Sequence, residues 1–400
     1  MDSIEEDHDI VIVGGGISGL ATSLALHKKG FKSIVLEKSD TLRATGGAIG
    51  VLVNGWRALD QLGVATQLRQ SAIPLNRAWD ILIDKGKHQE LILDGETRCL
   101  KRSDLVQVLA NALPSGTIRF GSQILSVKLD AHTNYPTLQL CNGKSINAKV
   151  IIGCDGSRSM VADFLELGPP RLFASGSIRG LTTYSNEREF PREAIRTRKG
   201  NVVTGTLPIT DTLVYWFITQ PLAQSGAKLP HDPELIKRSA IESLDGFPSD
   251  FEDLINHCDL DSLSFTRLRY RAPWDLLLRQ YRKGTVTIAG DAMHIMGPFL
   301  GQGGSASIED AVVFARNLAQ KISPEDLHQC GKGKQKTIEN AIDQYLKERK
   351  MRLVLLSTQT YLLGNLLESV SKVKSFIIII IIMILFSDNN GHTKYDCGHL

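Results

Sequence analysis

Three short stretches of this chain combine glycine and aspartate just where an apolar run stops and a helical pattern starts. The first is Gly14-Gly15-Gly16-Ile17-Ser18-Gly19, which has the spacing GxGxxG. Gly14 permits a tight turn out of a strand, Gly16 lets a pyrophosphate approach a backbone with no Cβ, and Gly19 lets the following helix pack closely. The helix that follows this turn presents free N–H groups and partial positive charge to phosphate, and Ser18 in the turn is a further cofactor-binding candidate. Glu37 ends the next apolar run, 18 residues after Gly19, about where a carboxylate meets a ribose hydroxyl. These residues describe a dinucleotide site, and FAD and NAD suit it equally.

The other two stretches have the same form. Val150–Ser159 reads VIIGCDGSRS, and Thr287–Gly304 reads TIAGDAMHIMGPFLGQGG, continuing as SASIEDAVVFARNL. Each places an aspartate, Asp155 or Asp291, at the carboxyl end of a buried strand, where open α/β sheets bind ligands.

The elements that must carry these turns follow from pattern. Asp9–Val13 (DIVIV) is an apolar, β-branched run, Gly19–Lys29 has helical spacing and stops at Gly30, and Ser33–Leu36 is a second strand. That is a β-α-β unit. From about Leu172 to Tyr270 the chain alternates, as in Thr212–Ile218, between turn-rich breaks, which predicts a mostly antiparallel sheet. A strand returns at Thr285–Ala289, followed by a helix from about Ser305 to Lys321, and the chain is helical in pattern from Ile338. The expected fold class is α/β, a Rossmann-like FAD-binding domain with an inserted, mostly antiparallel substrate lobe and a helical C-terminal segment. The expected divisions are 1–170 and 276–330 for the cofactor domain, 171–275 for the lobe and 331–400 for the helical segment with its apolar tail.

Bulk properties narrow the class. Forty-six basic against 43 acidic residues leave a net charge of +3, without the clustered basic excess of a nucleic-acid binder. The six cysteines, Cys99, Cys141, Cys154, Cys258, Cys330 and Cys397, form no CxxC pair, so no metal site is expected and free thiols are. The N-terminus, MDSIEEDHD, is acidic and polar, unlike a secretory signal or transit peptide, which makes a cytoplasmic location the default expectation.

GxGxxG, Asp155-Gly156, Gly290-Asp291 and the string GDAMH…PFLGQGG…EDA occur here in one order. In them the chain resembles the single-component aromatic-ring flavoprotein hydroxylases, including plant members related to 3-hydroxybenzoate 6-hydroxylase, over about residues 8–360. The resemblance implies FAD as cofactor and NADPH or NADH as co-substrate. It implies that Gly14, Gly16 and Gly19 hold the FAD pyrophosphate and Glu37 the adenosine ribose. Arg43 and Arg102 look like the family's FAD-contacting arginines. Asp155 sits in the motif serving FAD and nicotinamide, and Asp291 looks like the ribityl contact. Pro298 is expected to shape the loop against the flavin, unless it is a simple turn proline. Gly301-Gln302-Gly303-Gly304 would let backbone approach the flat ring, and the helix behind it would stabilise the negative charge of reduced flavin. No second GxGxxG is visible for a separate nicotinamide domain, which is similar to the family. The chain departs from the pattern at Ile295, where proline is usual, and around Val161-Ala162-Asp163, where a basic residue is common.

The implied reaction is hydroxylation of a small phenolic or aromatic acid with NAD(P)H and O2 through a flavin C4a-hydroperoxide, with the cofactor carrying the chemistry. No catalytic residue is assigned. The alternatives are an isoprenoid epoxidase of the same flavin family and a non-catalytic FAD-binding regulator. His294 is read first as a loop anchor and second as a proton carrier. Arg267, Arg269 and Arg271 alternate and are expected on one face, read first as a solvated face and second as a lure for an acidic substrate or the NADPH phosphate. The run Phe376–Phe386 is, as a helix, too short to span a bilayer. It is read first as a packed terminal segment and second as a peripheral membrane contact. Partners are therefore a small aromatic substrate and O2, with no nucleic acid.

Overall fold

The computed structural model describes residues 5–42, 47–93, 95–184, 190–222, 229–328, 331–369, 371–386, 388 and 391–400. Arg43 lies outside them. The fold is the expected α/β class. Its first sheet runs in the order Arg282–Lys283, Val286–Ile288, Ser145–Gly153, Glu5–Val13, Ser33–Leu36 and Ile118–Arg119, with Pro136–Leu140 and Ile124–Leu129 added beside Ser145–Gly153. The strands from Val286–Ile288 to Ile118–Arg119 are parallel. Apolar residues occupy both faces because both are covered. Ile10 and Ile12 pack toward the helix Ile17–Lys28, whereas Val11 and Val13 pack on the opposite side with Leu353 and Leu356.

Register decides where the three turns go. Val13 is paired with Gly153, and Gly153 with Ile288, so three parallel strands end level and their turns emerge side by side. The helix Ile17–Lys28 is buried from Ile17 to Leu26, which fits a helix apolar on every side. It lies against the helix Gly303–Lys321.

The second sheet has seven strands in the order Ser264–Tyr270, Arg171–Thr183, Leu213–Pro221, Val202–Pro208, Glu193–Lys199, Arg77–Leu82 and Lys87–Leu91. All pairings are antiparallel except that of Glu193–Lys199 with Arg77–Leu82. One face carries Ile178, Trp216 and Ile218, buried beneath the helices Pro233–Glu242 and Ser249–Asn256. Tyr215 and Leu213, one residue out of phase with Trp216, join the core of the first sheet instead. The two strands between Arg77 and Leu91 escaped the sequence reading, because mixed burial along them hides any alternation.

Arg267 and Arg269 lie on the strand Ser264–Tyr270, but Arg271 lies beyond it and is 3% exposed. Its guanidinium donates to the Leu167 carbonyl at 3.1 Å, and its amide to the Ile295 carbonyl at 2.8 Å. Arg271 therefore fastens the GD segment and shares no solvated face with the other two.

A 37-residue helix, Lys332–Glu368, packs against the helices Gly303–Lys321 and Pro273–Leu278, and a further helix spans Lys372–Leu385. This last helix exposes Val373, Phe376, Ile377, Met383 and Ile384 and buries Ile378. The expected packed segment thus packs on one side only. Among the described residues no helix is long and apolar enough to cross a membrane. The final segment, residues 391–400, returns to the body: the Leu400 amide donates to Gln61 Oε1 at 3.0 Å and Cys397 is buried.

Candidate functional site

The three turns meet at the carboxyl edge of the first sheet. Gly14 has φ +105°, and a Cβ there would lie 2.5 Å from the Cys154 carbonyl oxygen and 2.9 Å from Asp155 Cα. A Cβ on Gly19 would lie 1.9 Å from the Gly14 carbonyl oxygen, and one on Gly290 would lie 2.7 Å from Ser18 Cβ. Any side chain at Gly14, Gly19 or Gly290 would push the turns apart. A Cβ on Gly16 or Gly303 would meet nothing within 4 Å. Contact is closed between the turns and open above Gly16 and Gly303, which begin the helices Ile17–Lys28 and Gly303–Lys321.

Glu37 is buried, its Oε2 accepting the Gly15 amide at 2.8 Å and its Oε1 the Ser39 amide at 2.9 Å. The residue picked out for a ribose thus also braces the glycine turn. Asp155 Oδ2 accepts the Met160 amide at 2.8 Å, while its Oδ1 is buried without a hydrogen-bond partner. Ser18 Oγ is likewise buried and unpartnered. Burial pushes the Asp155 carboxyl above its ordinary value. Unspent polar groups of this kind suit a polar ligand, since a buried acceptor left unmade is costly.

Arg102 begins the helix Arg102–Asn111, and its amide donates to the Gly47 carbonyl at 3.0 Å. Burial pushes its guanidinium below the ordinary value, while the charge of Asp291 acts in the opposite sense and Arg179 in the same one. Tyr215 belongs to this group: a Cβ on Gly47 would lie 3.3 Å from its ring, and burial pushes its phenol up to about 12. Arg179 donates to Thr266 Oγ1 at 3.1 Å. Arg102, at the start of its helix, therefore stands near Arg179 and Tyr215 of the second sheet, and Tyr215 lies beside Gly47. Asp291 is exposed at the start of the helix Asp291–His294. Pro298 is also exposed, and Gly301 takes the left-handed conformation at φ +63°.

Gln302 is placed differently from its neighbours. Its side chain is 1% exposed and points into the protein, where Oε1 accepts Asn54 Nδ2 at 2.8 Å. Only its backbone is left to line the loop. Behind it runs a buried ionic chain. Asn54 Nδ2 donates to Glu309 Oε1 at 2.6 Å, and Arg349 Nη2 lies 2.8 Å from Glu309 Oε2. Arg349 Nε donates to Asp310 Oδ1 at 2.7 Å. Asp310 Oδ2 takes both the Gly290 amide at 2.9 Å and His294 Nε2 at 2.7 Å. His294 is wholly buried and anchors the GD segment, in line with its first reading. Tyr395 covers the chain, with the Arg349 and Arg352 guanidinium carbons 5.1 and 4.8 Å from its ring centre.

Sequence reasoning quoted Glu309 and Asp310 within a motif and gave them no role. It missed Asn54, Arg349, Arg352 and Tyr395 entirely. The only local signal was the dense charge of Lys347–Arg352 (KERKMR), which equally describes a solvated face.

Comparison with known proteins fits this geometry. The family described as FAD binding domain matches residues 7–344. The chain is 49% identical over 401 aligned residues to "Monooxygenase 1" of Arabidopsis thaliana, covering 99% of this chain and 100% of that one. It is 35% identical to "Monooxygenase 2" of the same plant, covering 92% of each. The structure of Klebsiella pneumoniae HpxO complexed with FAD and uric acid superposes with a TM-score of 0.78 at 20% identity, covering 96% of both chains.

Proposed function

This chain belongs to the FAD binding domain family and is an FAD-dependent monooxygenase, and we propose that it hydroxylates a small phenolic or aromatic acid at the expense of NAD(P)H and O2. The observation that supports the substrate class is the pairing of Arg179 with Tyr215 on the second sheet, next to the cofactor-side Arg102. Guanidinium groups pair with carboxylates, and an aromatic ring offers a flat partner for another. HpxO, of the same fold, is complexed with FAD and uric acid, a small planar molecule.

FAD, when bound, would supply the redox chemistry that links NAD(P)H and O2 to the substrate. The protein holds, orients and shields. In this proposal Gly14, Gly16, Ser18 and Gly19 hold the pyrophosphate on the helix N-terminus. Glu37 takes a ribose hydroxyl while keeping its two amides, Arg43 and Arg102 contact the cofactor, and Asp155 spends its unused Oδ1 on it. Asp291 takes the ribityl chain. Pro298 and the backbone of Gly301, Gln302, Gly303 and Gly304 lie against the ring, with the helix Gly303–Lys321 aiming its positive end there. Residues 1–170 and 276–330 form the cofactor unit, 171–275 the substrate lobe, and 331–400 the helical segment that braces it.

The exposed apolar side of the helix Lys372–Leu385 favours a second reading, an epoxidase that takes an isoprenoid from a lipid surface. One experiment separates the two. Purified holoenzyme is given NAD(P)H and either phenolic acids or an isoprenoid in detergent, and product is measured beside cofactor consumption. Oxygenated phenolic product supports the first reading. Oxygenated isoprenoid alone, or peroxide alone with every phenolic acid, overturns it.

A further inference from the structure

A cavity of about 390 Å3 lies outside the three turns, and none of the residues assigned above to FAD lines it. Leu276, Met293 and Leu353 give it an apolar lining, and Lys347 and Lys350 stand at its edge. The volume falls within the range of about 300–1,000 Å3 usual for small-molecule sites. Met293 belongs to the GD segment, two residues after Asp291, so the cavity backs directly onto the loop that serves the cofactor.

Two independent features point to a ligand. Tyr281, in the lining, is 4% exposed, and its phenolic oxygen is buried without a hydrogen-bond partner. Burial also raises that phenol above its ordinary value, so it stays a donor. A buried hydroxyl with nothing to bind is unfavourable by about 1–3 kcal/mol. Lys347 and Lys350 are exposed and three residues apart on one helix, where like charges repel. Among the described residues neither forms a salt bridge. The carboxylate at the edge, Asp343, is already engaged by Arg282 at 2.7 Å.

We propose that this cavity binds a small amphipathic carboxylate, an alkyl or aryl-alkyl acid. Its apolar body rests on Leu276, Met293 and Leu353, its charge lies between Lys347 and Lys350, and Tyr281 donates to one of its oxygens. An inorganic anion would leave the apolar lining unused, and an uncharged alcohol would leave the lysines unpaired. The site is separate from the reaction cleft, and it stands whether or not the substrate proposed above is correct.

Calorimetric titration of the FAD-loaded enzyme tests this, with hexanoate, phenylacetate, hexanol and inorganic phosphate as probes. Hexanoate or phenylacetate should bind saturably, with hexanol and phosphate about tenfold weaker or worse. The double variant Lys347→Glu/Lys350→Glu should weaken the acids by about tenfold or more, and Tyr281→Phe by about threefold. Both lysines are exposed, so the double variant should fold normally. Arg179→Ala, on the second sheet, should leave this binding intact. The proposal is overturned if neither acid binds at millimolar concentration, if phosphate binds as well as they do, or if Arg179→Ala abolishes binding that the lysine variant retains.

Discussion

Asp310 and Arg349 meet inside the protein at 2.7 Å, both side chains wholly shielded from solvent. Asp310 also holds the Gly290 amide, so this pair carries the position of the GD turn. A buried pair is weak evidence of net stability, but removing one member leaves a bare charge and is destabilising by about 3–5 kcal/mol. Arg349→Met should therefore lower stability to urea by about that amount and reduce the flavin retained on purification. Unfolding midpoints and flavin absorbance per protein give both readouts, and an unchanged midpoint would remove this pair from the architecture.

Acid should act through the same carboxyl. Burial alone would raise Asp310, but His294 and Arg349 more than offset it and hold it below the ordinary value. A depressed carboxyl contributes stability above the unfolded value of about 4 and loses it as pH falls through the folded value. Melting temperature should thus fall on acidification below about pH 4, and Asp310→Asn, less stable at neutral pH, should show a shallower fall. Parallel slopes for the two proteins would refute the assignment.

The glycines of the first turn separate folding from cofactor binding. A Cβ at Gly19 would lie 1.9 Å from a backbone oxygen, whereas one at Gly16 meets only open space. Gly19→Ala should yield little folded protein. Gly16→Ala should melt, as apoprotein, like the parent yet hold FAD about tenfold more weakly or worse. Flavin titration with circular dichroism checks this, and normal affinity in Gly16→Ala would move the phosphate site elsewhere.

Arg179 is half-buried on the strand Arg171–Thr183, on the face opposite Ile178, and near Tyr215. Arg179→Ala should raise KM for an aromatic acid by about tenfold, keep kcat within about twofold, and affect an amide analogue much less. Equal losses for acid and amide would mean that the residue acts on structure and not on charge.

The exposed helix Lys372–Leu385 carries its own expectation. Its outward side chains, Phe376, Ile380 and Ile384 among them, follow one another at four-residue spacing on one side of the helix, and a contiguous exposed apolar patch marks an interaction site. Ile380→Lys/Ile384→Lys should change stability by less than about 0.5 kcal/mol while abolishing co-sedimentation with anionic vesicles. Failure of the parent protein to sediment with such vesicles would leave the epoxidase reading without its motive.

What could be read in advance was local. Gly14, Gly19 and Asp155 announce themselves because a turn between strand and helix admits few residue types, and strand, turn and helix are contiguous. The ionic chain is different: Asn54 and Glu309 are 255 residues apart, and Asp310 and Arg349 are 39 apart. Nothing in a string of letters distinguishes a buried Arg349 from the exposed Lys350 beside it, since packing alone decides that. Arg271 misled for the same reason, because its alternation with Arg267 and Arg269 runs on past the end of the strand. The strands Arg77–Leu82 and Lys87–Leu91 join a sheet whose other members lie a hundred residues onward, a pairing that only tertiary contact specifies.

The level ending of three parallel strands has a consequence for biogenesis. Their last residues are Val13, Gly153 and Ile288, so the cradle is scattered over nearly three-quarters of the polypeptide. A ribosome-bound nascent chain has no completed cradle until Gly290 has emerged, and no braced one until Arg349 follows. Flavin therefore enters only after Gly290 has emerged. Once in, it acts as a non-covalent cross-link that ties early, middle and late stretches into one cooperative unit, and starvation for the vitamin precursor should lower the amount of this protein as well as its activity.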